Sequence, residues 1–232
     1  EAFSETYHVS TTHPEFNAFG QFRGWARSHG LHTNIGYEAP KGLEEDAGKL
    51  RTGIGDARIS TAEMQEFTWA NANTNTTMTL VNAAKRLVDE LPEDTPTAEV
   101  SKHWIASARA DDEKRGVVWP VVEPAHTAKA GTAWQIFPNF QIGHAVNNML
   151  CYAARPCGDD PGKCIFEAAV YELFAEGEAP YTEWEYIPEG DPRWGSVLPQ
   201  DFSNMAAVQQ GMKNVGFRGN MPNPKAEQAV AN

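Results

Sequence analysis

His8 and His13 stand five residues apart, with Glu5 three residues before the first and Asp201 near the other end of the chain. On a regular α-helix, five residues turn through about 500°, so the two imidazoles would diverge by about 140°. Both can reach one ion only if the helix ends or distorts between them. Thr11, Thr12 and Pro14 favour that, because two β-branched residues and a proline fall where the turn must open. The spacing therefore places His8 on a last helical turn and His13 just beyond it. Two unrelated polar histidines at a helix end would leave the same trace. Asp201 is expected to start the last helix, on one stripe with Met205, Val208 and Met212, and to point inward. There it is either a ligand or a helix N-cap. Two histidines and one carboxylate on one side of an ion leave other positions open. That donor set suits Fe(II) handling dioxygen, or zinc with a bound water for hydrolysis. Glu5, on the same helix face as His8, can accept a hydrogen bond from the imidazole nitrogen turned away from a metal, or be solvated.

The bulk of the chain narrows the partners. Its 232 residues suffice for one large domain, and they are expected to form a single one. A net charge of -12 and the lack of a basic stripe argue against nucleic acid. No apolar run approaches the length of a membrane span, and no signal peptide is visible. Cys151, Cys157 and Cys164 make no disulfide framework and have no histidine at cluster or zinc-ribbon spacing. They read as free thiols of a cytoplasmic protein. A first residue that falls inside a metal motif points to the C-terminal part of a longer protein.

The elements that must carry these residues follow from periodicity and punctuation. A helix is expected up to about His13, then loops with short strands such as Leu31–Tyr37 over residues 15–60. Helices are expected over 61–71, over Thr79–Leu91 up to Pro92, and, polar and exposed, over Thr97–Arg115. The second half reads as strands: Ala133–Phe137, Phe140–His144, Asn148–Arg155 and Lys163–Phe174. The last two form a hairpin around Pro156–Lys163. A Pro-, Gly- and Trp-rich loop over 176–200 and a helix from Asp201 to Lys213 close the chain. The fold class is α+β, an antiparallel sheet with helices on one face.

The opening Glu-x-Phe-x-Glu-x-Tyr-His-x-x-x-x-His-Pro resembles the catalytic domain of Rieske-type aromatic-ring-hydroxylating oxygenase α subunits. Three further stretches agree, in order: Ile136-Phe137-Pro138-Asn139-Phe140, the Arg155-Pro156…Asp159-Asp160-Pro161 hairpin, and Gln200-Asp201 followed by Asn204 and Gln209. Residues 40–130 carry no such resemblance. The resemblance implies a helix-grip fold, an antiparallel sheet curved around a long helix with a cavity between. It implies His8, His13 and Asp201 as ligands of mononuclear Fe(II). Glu5 would bridge this centre to a Rieske cluster of a neighbouring subunit, where much of the family has the shorter Asp.

The paired Cys/His elements of a [2Fe-2S] Rieske cluster do not occur in this sequence, so the resemblance implies an upstream domain that carries it. The implied activity is hydroxylation of an aromatic or similar apolar ring, by dioxygenation or monooxygenation. It would use O2 and electrons from NAD(P)H, delivered through a reductase or ferredoxin and the cluster, in a homotrimer or α3β3 assembly. Phe137, Asn139, Trp194 and Val197 are candidates for the substrate pocket, with Phe140 and Trp134 near them. His29, His32, His103, His126 and His144 lack partners at ligand spacing and read as surface or core residues. Two other readings stay open on the residues alone: a helix-grip binding protein for an apolar ligand without catalysis, and a zinc hydrolase.

Overall fold

A computed structural model describes residue 8 and residues 11–18, 23–38, 41–42, 55–219 and 221–222. Six antiparallel strands form one meander in chain order. They are β1 (Arg23–His29), β2 (His32–Glu38), β3 (Ala133–Ile136), β4 (Phe140–His144), β5 (Asn148–Pro156) and β6 (Cys164–Glu172). Among the described residues, five helices lie between β2 and β3 and one follows β6. They are α1 (Ala57–Ala72), α2 (Met78–Lys85), α3 (Leu87–Glu90), α4 (Thr97–Lys114), α5 (Pro124–Ala130) and α6 (Val197–Met212). The class is α+β, in line with a helix-grip arrangement. Among the described residues no helix is long and apolar enough to cross a membrane.

Local chemistry sets the boundaries. Gly30, at φ 68°, takes the first place of the two-residue turn between β1 and β2, where a side chain would be strained. β1 pairs with β2 over its whole length, Arg23 with Glu38 through His29 with His32. Its Arg-Gly-Trp-Ala-Arg-Ser-His run does not alternate in polarity, so the sequence carries no clear strand signal there. Asp56 caps α1 by accepting from the Arg58 amide, and Thr77 caps α2 by accepting from the Leu80 amide. The single helix expected over Thr79–Leu91 is two, separated at Arg86.

The main apolar core lies in the helical layer. Leu80 and Ala83 of α2 pack with Ala108 of α4 and with Val117 and Trp119; Leu173 and Ala175, just after β6, close against them. A second cluster joins Ala57, Ala84, Leu87 and Val100, and Trp104 touches both. The expectation of an exposed helix at Thr97–Arg115 is therefore corrected. Val100, Ala108 and Asp112 of α4 are buried, and the polar residues between them hide that stripe in the sequence. Asp112 is a buried carboxylate at the centre of this layer. It accepts from Thr79 Oγ1 at 2.9 Å, from Trp119 Nε1 at 2.6 Å, from Asn147 Nδ2 at 3.0 Å and from Arg115. Asn147 directly precedes β5, so these bonds tie the helices to the strand that leads toward the site.

Two expectations about α6 are also corrected. The helix starts at Val197, not Asp201. Pro199 is tolerated because the first turn of a helix needs no amide donor. Asp201 thus lies inside the helix and is not its N-cap. The apolar stripe that begins at Asp201 is not packed inward either: Met205, Val208 and Met212 are 49%, 59% and 44% exposed. α6 is held instead by Phe202 against Phe166 of β6 and by Gln209, which donates to Pro161 O in the β5–β6 turn.

Candidate metal centre

His8 and His13 meet Asp201, almost two hundred residues away in sequence, in the fold. His8, Thr11 and Thr12 are helical, His13 is not, and Pro14–Ala18 form a 3-10 turn. The helix therefore opens between the two histidines, as their spacing requires. His8 Nε2 lies 3.2 Å from His13 Nε2. Asp201 Oδ1 lies 2.9 Å from His8 Nε2 and 3.3 Å from His13 Nε2. The three atoms form a nearly equilateral triangle, and these residues could hold a metal ion.

A small divalent ion binds such donors at about 2.1 Å, which puts donors at right angles about 3.0 Å apart and tetrahedral ones about 3.4 Å apart. The observed sides fall across that interval. The second observation is Asp201 Oδ1 itself, which is buried and accepts no well-directed hydrogen bond despite its two close nitrogens. A buried carboxylate oxygen without a donor is costly, and a cation at the centre of the triangle removes that cost. The residues present fit a mononuclear metal.

The electrostatics agree. Burial lowers the His13 pKa, but the Asp201 carboxylate and Gln200 outweigh it and the net is upward. Burial pushes Asp201 up, yet His13 and His8 hold it below the usual carboxylate range. The phenol of Tyr152 is pushed up, first by burial and then by the negative charge of Asp201.

An aromatic cluster begins at the residue after Asp201, and polar groups surround the two imidazoles. Phe202, next to Asp201, meets Phe166 at 5.5 Å and Trp194 at 5.3 Å between ring centroids; Tyr152 of β5 lies 5.3 Å from Phe166. Phe16 packs edge-on against His13. Among the polar groups, His13 Nδ1 is 2.6 Å from Gln200 Oε1, and Gln200 Nε2 donates to Glu15 Oε1 at 2.7 Å. Thr12 Oγ1 is 3.5 Å from both His8 Nδ1 and Asn204 Nδ2.

Of the pocket candidates, Trp194 packs edge-on against Phe202, the residue after Asp201, and Val197 opens the helix that carries Asp201. Phe137 lies 58% exposed in the β3–β4 turn, where its amide donates to His32 Nδ1. Asn139 donates to Ala154 O, and Trp134 stacks on His29. Glu5 lies outside the described residues. His103 pairs with Glu90 and His29 with Asn34, while burial lowers the pKa of His144. Tyr152, Phe166 and Glu15 were not singled out from the sequence. Tyr152 and Phe166 sit on strands whose facing side is set by register, and Glu15 is one of many surface-type acids. Only its position two residues after His13 marks it.

The model of one known family, described as ring hydroxylating alpha subunit (catalytic domain), matches residues 1–232. No curated protein and no solved structure matches the chain.

Proposed function

The chain belongs to the ring hydroxylating α subunits, as their catalytic domain, and from that membership we propose that His8, His13 and Asp201 hold one mononuclear Fe(II). The family carries out ring hydroxylation, an oxidoreductase activity. Bound here, ferrous iron would supply the activation of O2, with electrons from a [2Fe-2S] Rieske cluster carried by an upstream domain and ultimately from NAD(P)H through a reductase or ferredoxin. Glu5 is the proposed bridge to that cluster, across a subunit contact of a homotrimer or α3β3 assembly.

The single observation that carries this reading is the triangle of His8 Nε2, His13 Nε2 and Asp201 Oδ1, the last a buried oxygen with no well-directed hydrogen bond. The chain's own residues then have defined work. The two imidazoles must be neutral at Nε2 to bind, and Asp201 supplies the one negative charge. Phe202, Phe166 and Trp194 offer ring faces and edges to a flat apolar substrate and keep water from the reacting side. The Tyr152 phenol, pushed up by burial and by the charge of Asp201, stays protonated at neutral pH and adds no charge to the site.

The test is metal content after anaerobic reconstitution with Fe(II). The wild type is expected to retain about one iron per chain and to give a nitric oxide–iron spin signal. Asp201→Ala is expected to lose both. Equal iron in the variant ends the assignment of Asp201. Preferential zinc retention with hydrolysis, or no metal in the wild type, replaces the oxygenase reading with the hydrolase or the binding module.

A further inference from the structure

We propose that Gln200, held in one orientation by Glu15, is a positioning residue that fixes His13 with its proton on Nδ1 and its lone pair on Nε2, aimed at the point shared with His8 and Asp201. The proposal deepens the metal reading above and rests on it for its purpose, though not for its geometry.

An ionised carboxylate offers no donor, so the Gln200 atom 2.7 Å from Glu15 Oε1 must be the amide NH2. That leaves Gln200 Oε1, an acceptor, facing His13 Nδ1 at 2.6 Å. The imidazole nitrogen there must carry a proton. Neutral histidine has only one N–H, so Nε2 keeps its lone pair. It faces the Asp201 oxygen, 3.3 Å away, with His8 Nε2 beside both. A lone pair opposite a carboxylate oxygen is unfavourable unless a cation lies between them. Glu15 thus settles, two bonds away, which face of His13 can bind.

The same residues hold the two halves of the site together. His13 and Glu15 are joined by the tight turn in which Phe16 N donates to His13 O at 3.0 Å. Gln200 directly precedes Asp201 on α6. The hydrogen-bonded chain therefore spans the same two elements as the ligands and runs beside them. His13 is only 6% exposed, so water is a poor replacement for the Gln200 acceptor.

Two measurements separate this proposal from the metal reading. The first uses metal-free protein at about pH 9, where imidazole is neutral, and long-range proton–nitrogen NMR of 15N-labelled histidines. The wild type is expected to show His13 protonated at Nδ1. Gln200→Leu is expected to shift the proton to Nε2, toward Asp201. The second is affinity for Zn(II) and Fe(II) by competition with a chelator. Gln200→Leu is expected to weaken both by about 10- to 100-fold, the usual effect of removing the partner of a ligating histidine. The exchanged double variant Gln200→Glu with Glu15→Gln keeps an acceptor at His13 and a donor behind it. It is expected to recover affinity to within about threefold of wild type. An unchanged tautomer in Gln200→Leu, or affinity in the double variant as low as in Gln200→Leu, overturns the proposal. A wild type that shows the Nδ1 proton but takes up no metal instead overturns the metal reading and leaves the tautomer assignment standing.

Discussion

Replacing Asp112 tests whether the layer behind the site is held by one buried charge. Its carboxylate is 1% exposed and receives four donors on two oxygens. In Asp112→Asn the amide NH2 can face only the side of Thr79 and Arg115, because the Thr79 hydroxyl can rotate and the half-exposed Arg115 can swing into water. The Trp119 and Asn147 bonds persist but lose charge assistance, about 1 kcal/mol each, and the Arg115 pair adds up to about 1 kcal/mol. The sum is roughly 2–3 kcal/mol. Asp112→Ala leaves the Trp119 indole N–H with no acceptor and strips one bond from Asn147, which keeps Thr77 at 3.0 Å. That raises the loss to roughly 4–5 kcal/mol, a large part of an ordinary domain's stability. Urea unfolding at neutral pH reads both values. Burial raises the Asp112 pKa, but Arg115, Trp119, Asn147 and Thr79 together bring it below its ordinary 3.8. A depressed carboxylate contributes stability above its unfolded pKa and loses it as pH falls through the folded one. The gap between wild type and Asp112→Asn should therefore be full above the ordinary value of 3.8 and shrink as pH falls below it. Glu167→Gln, which breaks the exposed Arg155–Glu167 pair, is the control, expected to cost less than about 1 kcal/mol. Equal losses for Asn and Ala at position 112, or a loss no larger than the control's, refute the reasoning.

Two further outcomes follow from the backbone and from the site. Gly131 sits at φ 69°, ψ -150°, where a Cβ would overlap the carbonyl of Ile35, which itself bonds the Thr132 amide at 2.8 Å. Gly131→Ala is expected to lower stability by more than about 2 kcal/mol, against about 1 kcal/mol for Gly158→Ala, whose φ is also positive but whose surroundings are open. Similar melting temperatures for the two variants would contradict this. In metal-free protein, Asp201 is depressed from 3.8, so its contribution is lost as pH falls below that value. His13 is raised from 6.5, so its contribution is complete below 6.5 and is lost as pH rises through its folded value. The stability difference between metal-free wild type and metal-free Asp201→Asn is therefore expected to peak between about pH 4 and 6.5. A difference that grows steadily to pH 8 would show that the carboxylate is not paired with His13.

The parts of the site that are written in single residues were legible, and the parts written in register and direction were not. The interval between His8 and His13 together with Pro14 predicts an opened helix, because the rotation per residue is fixed and proline constrains its neighbour. Asp201 could be suspected from its charge on an otherwise apolar stripe. The same stripe misled the reading of Met205, Val208 and Met212. Periodicity shows that a face is apolar, but not that another element lies within reach of it, and α6 is anchored at Phe202 and Gln209 with those three side chains left half exposed. The expectation of an exposed helix over Thr97–Arg115 fails for the converse reason. Asp112 and its polar neighbours look solvated until Trp119, Asn147 and Thr79, from other parts of the chain, supply their hydrogen bonds. Gln200 and Glu15 belong to this second kind. Neither residue type signals chemistry, and each acquires a role only because the turn at Pro14 and the second turn of α6 bring them within hydrogen-bond distance beside His13. A metal ligand can be found from its own chemistry, whereas the group that orients it is visible only once the fold has placed a donor opposite an acceptor.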